Sequence, residues 1–244
     1  MVNSILQNNK LKKGLYIVPT PIGNLGDFTY RAKEVLSDVS RIYAEDTRTS
    51  KKLLIKYEIK TPIFSYHQHN EHKIVESLVK EIKEKKIKIA LISDAGTPGI
   101  SDPGYLLINK AKENNINVFC LPGATSIIPA LIQSGFPTEE FSFFGFLPHK
   151  KGRKTKLQKI INQKSTVIIL ESPHRLIKLL QELKKELEDQ RLISVSRELT
   201  KIYEENIRGT AEELLLHFNS KKIKGEIVVV IDKVSKKKNV RIQP

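Results

Sequence analysis

The chain has 244 residues but one cysteine, one methionine and no tryptophan. A lone thiol, Cys120, excludes an intramolecular disulfide framework and any cysteine-based zinc finger. It suits a reducing compartment. Apolar runs are short, and none approaches the roughly 20 residues needed to span a bilayer. The stretch Met1 to Lys13 is polar and has no long apolar core, so no secretory signal is expected and the cytoplasm is the expected location. Acidic residues are also scarce: 27 Asp and Glu stand against 42 Lys and Arg, a net charge of +15. Such an excess points to a polyanionic partner, although only nine of the 42 are arginines and a lysine-rich background gives the same balance.

What is present is ordinary for a folded protein: 39% hydrophobic and 28% charged residues. At about 150 residues per domain this length gives one to two domains. Apolar runs alternate with helical patterns along the chain. Leu15–Val18, Arg41–Ala44, Pro62–Tyr66, Ile87–Ile92 and Ile116–Leu121 read as strands. Thr29–Val39, Thr49–Tyr57, Glu71–Lys86 and Tyr105–Asn114 read as helices between them. Further on, Ile127–Ser134, His174–Leu187 and Thr210–Phe218 read as helices, and Thr166–Leu170, Leu192–Ser196 and Glu226–Ile231 as strands. Alternation of this kind predicts an α/β fold with a mostly parallel sheet. Pro122 to Ser126 is the expected boundary, giving domains 1–122 and 123–244. Lys233 to Pro244 reads as a loosely held basic tail.

Ligands of parallel sheets bind at the carboxyl ends of the strands. In the first half each strand runs into an unusual loop there. Residues 93–104, SDAGTPGISDPG, hold three glycines, two prolines and two aspartates. This is a backbone that a ligand can approach closely. It lacks the Lys-Ser/Thr of a phosphate loop, since Tyr105-Leu106 follow Gly104, and it does not match G-x-G-x-x-G. Residues 18–29, VPTPIGNLGDFT, form a second such loop, and the two are expected to wall one pocket. The cluster His67, His69 and His72 fits neither H-E-x-x-H nor H-x-x-E-H, so no metal is expected. Residues 150–164 carry seven basic side chains and no acid, which suits a phosphate backbone or a solvated helix face. Phe141, Phe143, Phe144 and Phe146 alternate partly like a strand, so most are expected in the core.

Several segments together carry a resemblance: VPTPIGNLGDFT (18–29), AEDTR (44–48), HQHNE (67–71), SDAGTPGISDPG (93–104), LPGATS (121–126), FFGFLP (143–148), ESPHR (171–175), SREL (196–199) and TKIYEE (200–205). In this order they resemble the small-subunit ribosomal RNA methyltransferases of the tetrapyrrole methylase superfamily. The resemblance implies two α/β domains with S-adenosyl-L-methionine in the cleft between them, and a homodimer. It implies 2′-O-ribose methylation of a cytidine in the decoding region of small-subunit (16S) ribosomal RNA, within the small subunit and away from membranes. By position, Pro21 and Ile22 line the cofactor site, and Asp94, Gly96, Thr97, Pro98 and Gly99 hold the methionine part. Thr125 and Ser126 follow, with Leu170 and Glu171 near the adenosine. A ribose hydroxyl is a poor nucleophile, so a base helps, and Asp94, Asp102, Asp46 and Glu171 are candidates. Arg48, Lys51, Lys52, Lys150, Lys151, Arg153, Lys154 and Lys156 are the expected RNA contacts.

Two departures from the family pattern stand out. Many members look longer at the carboxyl end, with an extra helical segment not seen after Pro244, so any RNA contact made there is expected to be replaced or lost. Ile22 stands where tetrapyrrole enzymes carry a more glycine-rich turn, against a porphyrinoid substrate. Two other readings remain at this point: a methyltransferase of tetrapyrrole or corrinoid precursors, and a non-enzymatic RNA-binding module.

Overall fold

The computed structural model describes residues 11–187 and 191–234. The expected tail from Lys233 lies almost wholly outside them. The chain divides into two compact units between Thr125 and Ser126.

In the first unit, strands β1 (Gly14–Ile17), β2 (Arg41–Ala44), β3 (Ile63–Ser65), β4 (Lys88–Ile92) and β5 (Val118–Cys120) alternate with helices α1 (Tyr30–Asp38), α2 (Thr47–Lys56), α3 (Glu71–Lys85) and α4 (Tyr105–Glu113). The sheet order is β3-β2-β4-β1-β5, and every pairing is parallel. Side chains alternate across each strand, so the sheet builds a core on each face. Tyr16, Ile42, Ala90 and Ile92 pack with α1 and α2 residues such as Val35, Leu36 and Leu54. Leu15, Ile17, Ile89 and Leu91 pack on the opposite face with Val75, Leu78, Val79 and Leu107 of α3 and α4. Burial on both faces is why IKIALI carries almost no polar residue. The two helices that follow the first loops start at side-chain caps: Thr29 accepts from Ala32 N, and Asp46 accepts from Arg48 N.

The second unit holds α5 (Ile127–Ser134), β6 (Phe141–Phe146), α6 (Arg153–Ile161), β7 (Thr166–Glu171), α7 (Leu176–Glu186), β8 (Ile193–Arg197), β9 (Glu205–Gly209), α8 (Ala211–Asn219) and β10 (Ile227–Ile231). Its sheet has the order β6-β7-β10-β8-β9. Only β6–β7 is parallel; β7–β10, β10–β8 and β8–β9 are antiparallel. The expected mostly parallel sheet therefore holds in the first unit and fails here. The segment between β8 and β9 is too short for a parallel crossover. It turns back through Glu198 and Thr200, both at positive φ. The last strand, IVVVI, is buried at all five positions, so it takes the sheet centre.

Two elements escaped the sequence reading. Helix α6 lies in the basic segment, its buried Arg153, Leu157 and Ile160 at helical spacing. Strand β9 is an edge strand of mostly polar residues.

Candidate active site

The strand order brings the first unit's loops together. β1 and β4 are neighbours, β2 flanks β4, and β5 flanks β1. Their carboxyl ends therefore release residues 18–29, 93–104, 44–48 and 121–126 side by side. The loops are tied directly. Thr20 and Gly96 exchange two backbone hydrogen bonds of 2.9 Å. Thr20 Oγ1 donates to Ser93 O at 3.0 Å, and Thr97 Oγ1 donates to Ala124 O at 3.2 Å. Ile22 is buried against Gly96: a Cβ on Gly96 would lie 3.5 Å from Ile22 Cγ2. Gly104 closes the loop at φ +142°, where a Cβ would lie 2.9 Å from Leu91 Cδ2. That is a glycine-only position at the start of α4.

Carboxylates dominate this end of the sheet. Asp94 Oδ1 accepts the backbone N–H of Asp46 at 3.1 Å, which joins the loops after β4 and β2. Burial raises the Asp94 carboxyl above its ordinary value, opposed by that N–H. Asp46 is the N-cap of α2 and is held at about 2 by side-chain and backbone hydrogen bonds from Arg48. Glu45 goes the other way. Desolvation, then Asp102, Asp94 and Asp46, push its carboxyl up to about 6. Sequence reasoning did not single out Glu45. The signal available was its place in the AEDTR segment at a strand's carboxyl end. Its acidity depends on three carboxylates, two of them brought in by a distant loop.

The donor set of this cluster fits a sulfonium cofactor. Carboxylates suit an ammonium and a sulfonium, and hydroxyls and backbone N–H groups suit a carboxylate. Thr97 and Thr125 of the first unit are half-buried, and Thr97 is tied to the 121–125 segment through Ala124 O.

In the second unit Glu171, expected near the adenosine and as a candidate base, is enclosed by side chains of its own unit. Its side chain is fully buried between two arginines. Arg175 Nη2 lies 2.7 Å from Oε1 and Arg153 Nη1 lies 3.6 Å from Oε2. Ser172 N also donates to Oε1 at 2.9 Å. A carboxylate so placed serves the two arginines as a counter-ion. Arg153, expected on RNA, is likewise only 5% exposed. Its guanidinium bridges Glu182 at 2.7 and 3.1 Å and Pro148 O at 3.3 Å. Burial of Leu157 and Ile160 on the same helix face draws Arg153 inward with them. Leu170 is half-buried on the neighbouring position of β7.

The remaining basic residues divide by what they touch. Lys51, Lys52, Lys150, Lys151 and Lys154 are exposed. Arg48 is exposed but pairs with Asp46 at 2.7 Å. Lys156 donates to Phe146 O at 3.0 Å. The phenylalanines also depart from expectation. Phe141 is 42% and Phe146 50% exposed, and Phe143 and Phe144 are half-buried. β6 is an edge strand, so one of its sides has no neighbour to cover it.

Comparison with known proteins places this arrangement. The profile of the tetrapyrrole (corrin/porphyrin) methylases matches residues 14–215. A protein named ribosomal RNA small subunit methyltransferase I from Synechocystis is 47% identical over 89% of this chain and 78% of its own length. Proteins of the same name from Bacillus subtilis and Thermotoga maritima are 45% and 42% identical, covering 92% and 89% of this chain and 77% and 97% of their own. Among solved structures, uroporphyrin-III-C-methyltransferase from Thermus thermophilus has a TM-score of 0.62 at 17% identity, covering 91% of this chain and 95% of that one. The methyltransferase CobJ has a TM-score of 0.66 at 15% identity, covering 91% and 94%. At such identities the likeness concerns the fold. The chain belongs to the tetrapyrrole (corrin/porphyrin) methylase family, among the relatives named ribosomal RNA small subunit methyltransferase I.

Proposed function

We propose that the chain is an S-adenosylmethionine-dependent methyltransferase acting on small-subunit ribosomal RNA, at the 2′-oxygen of a cytidine ribose in the decoding region. It acts in the cytoplasm as a homodimer, with the small ribosomal subunit as the form of its substrate. The observation that carries the reading is coincidence. Segments 18–29, 44–48, 93–104 and 121–126, four of those that carry the resemblance, follow neighbouring strands of the first sheet, in a chain 42–47% identical to relatives named for ribosomal RNA methylation. The excess of positive charge supports an RNA substrate over a porphyrinoid one.

Bound cofactor would supply an electrophilic methyl group on a sulfonium. Asp94, with the backbone of Gly96 to Gly99 and the hydroxyls of Thr97, Thr125 and Ser126, would hold its amino-acid end, and Pro21 and Ile22 would line the site. Most of the acceleration comes from alignment of acceptor and methyl. The ribose proton goes to Glu45. At about 6 its carboxyl is ionised at neutral pH yet far more basic than Asp46. Asp102 acts through Glu45 by raising its basicity.

The test is methyl transfer from labelled S-adenosylmethionine to purified small ribosomal subunits, run beside a uroporphyrinoid acceptor. Transfer to the subunit alone is expected; transfer to the uroporphyrinoid alone would overturn the reading. Asp94→Ala is expected to weaken cofactor binding by calorimetry, and unchanged affinity would remove Asp94 from the site.

A further inference from the structure

Strand β6 contains an irregularity that changes where its last side chain points. Phe143 pairs with Ile168 of β7, but Phe146 pairs with Leu170, so three steps on β6 answer two on β7. The extra residue is accommodated at Gly145, whose φ is +59°. Side chains alternate across a strand, so one extra residue moves everything beyond it to the other face. In a regular strand Phe146 would share the face of Phe144, which packs on the second unit's main core with Val167 and Ile169. The bulge turns Phe146 out of that core, onto the face of Ile168 and Leu170, and leaves it half-exposed.

The backbone that carries this ring is fixed by three cations. Lys156 Nζ donates to Phe146 O at 3.0 Å, Arg175 Nη1 to Leu147 O at 2.9 Å, and Arg153 Nη1 to Pro148 O at 3.3 Å. Both arginines are in turn held by the buried Glu171. Two residues further on, Lys150 and Lys151 are exposed, and Lys154 follows on α6. None of these three lysines forms an ion pair among the described residues. A single exposed phenylalanine is common on protein surfaces. One rotated out of the core by a bulge, fixed by buried charges and flanked by unopposed lysines is a site with two matched parts. The parts are an aromatic face for a planar base and positive charge for its phosphates.

We propose that Phe146 is the stacking platform for an unpaired base of the RNA substrate, with Lys150 and Lys151 on the flanking phosphates. This rests on the RNA reading above and adds the contact that places the strand. The commitment to RNA follows from the lysines: a stacked base within a chain brings neighbouring phosphates, and Lys150 and Lys151, exposed four and five residues beyond the ring, supply the charge that such phosphates need.

The experiment measures binding of the full chain to purified small ribosomal subunits across a range of salt, with cofactor binding by calorimetry in parallel. Phe146→Ala is expected to weaken subunit binding roughly five- to one-hundred-fold, the range for loss of one stacked base. The salt slope should not change, because no phosphate contact is removed. Phe146→Trp should restore binding and Phe146→Leu should not. Cofactor affinity and thermal unfolding should stay at the wild-type values. Wild-type subunit binding by Phe146→Ala, or full rescue by Leu, would overturn the stacking proposal while leaving the RNA reading intact. Loss of cofactor affinity in Phe146→Ala would instead assign the ring to the cofactor's adenine. No subunit binding by the wild-type chain at any salt would overturn the RNA reading and this proposal with it.

Discussion

Glu45 and Asp46 are adjacent in the chain, yet burial and three carboxylates hold one at about 6 while Arg48 holds the other at about 2. The consequence for stability has a definite sign. The folded state keeps a proton on Glu45 that the unfolded chain has already lost, so stability falls as pH rises from about 4.5 to about 6. Glu45→Gln removes that fall, which urea midpoints at pH 4.5 and 7 would show. In activity, kcat/KM is expected to rise through pH 6 and level off, and Glu45→Gln to lower it by roughly 10²- to 10⁴-fold. Asp46→Asn should keep the rising arm; if it abolishes that arm and Glu45→Gln does not, Asp46 is the base. Glu205 shows the opposite shift. Burial disfavours its charge, but hydrogen bonds from Lys221, His217 and Arg197 outweigh burial and hold it at about 2. That stability is present above pH 4.5 and is lost as pH falls toward 2. The cluster is partly solvated, which screens it, so Glu205→Gln should cost about 1 kcal/mol at pH 7 and less at pH 2.

At the scale of elements, the loops were legible because Gly and Pro write their geometry into sequence. SDAGTPGISDPG announced a tight loop after a buried strand, and the structure ties it to the loop after β1 through Thr20 and Gly96. Gly104 is the sharpest constraint there, and Gly104→Ala is expected to destabilise the fold by about 1–3 kcal/mol in chemical denaturation. A neutral result would mean that Leu91 and the loop yield to a Cβ at little cost. Less legible were elements whose identity depends on neighbours. Strand β9, ENIRG, is polar because it lies at a sheet edge, and α6 was obscured by its charge. Arg153 looked like a surface cation among lysines. Its burial is decided by Glu171 and Glu182, 18 and 29 residues away. Phe146 departs from simple alternation because of the bulge at Gly145, which no pattern of apolar residues announces.

At the scale of the molecule, the sequence supported an α/β chain with two compact parts, and the structure has two such units. It did not reveal that the second sheet is mostly antiparallel, since strand direction follows from which strands pair, and β10 pairs with β7 and β8 from the end of the chain. The +15 charge is a property of the whole, but its use is local. With Arg153 committed inside, the phosphate contacts proposed for the second unit fall to Lys150, Lys151 and Lys154. Charge reversal at Lys150 and Lys151 should weaken subunit binding and flatten its salt dependence by about two in log–log slope. Arg153→Glu would instead unfold the second unit, by stranding Glu171 and Glu182, and circular dichroism separates the two outcomes. The measurement that bears most directly on the whole account is the position of the transferred methyl. Small subunits are labelled with tritiated S-adenosylmethionine, then digested and mapped by nuclease and nucleoside analysis. The account predicts one labelled nucleoside, a cytidine methylated on its ribose 2′-oxygen in the decoding region. Label on a base, or none on the subunit while cofactor still binds, would contradict it.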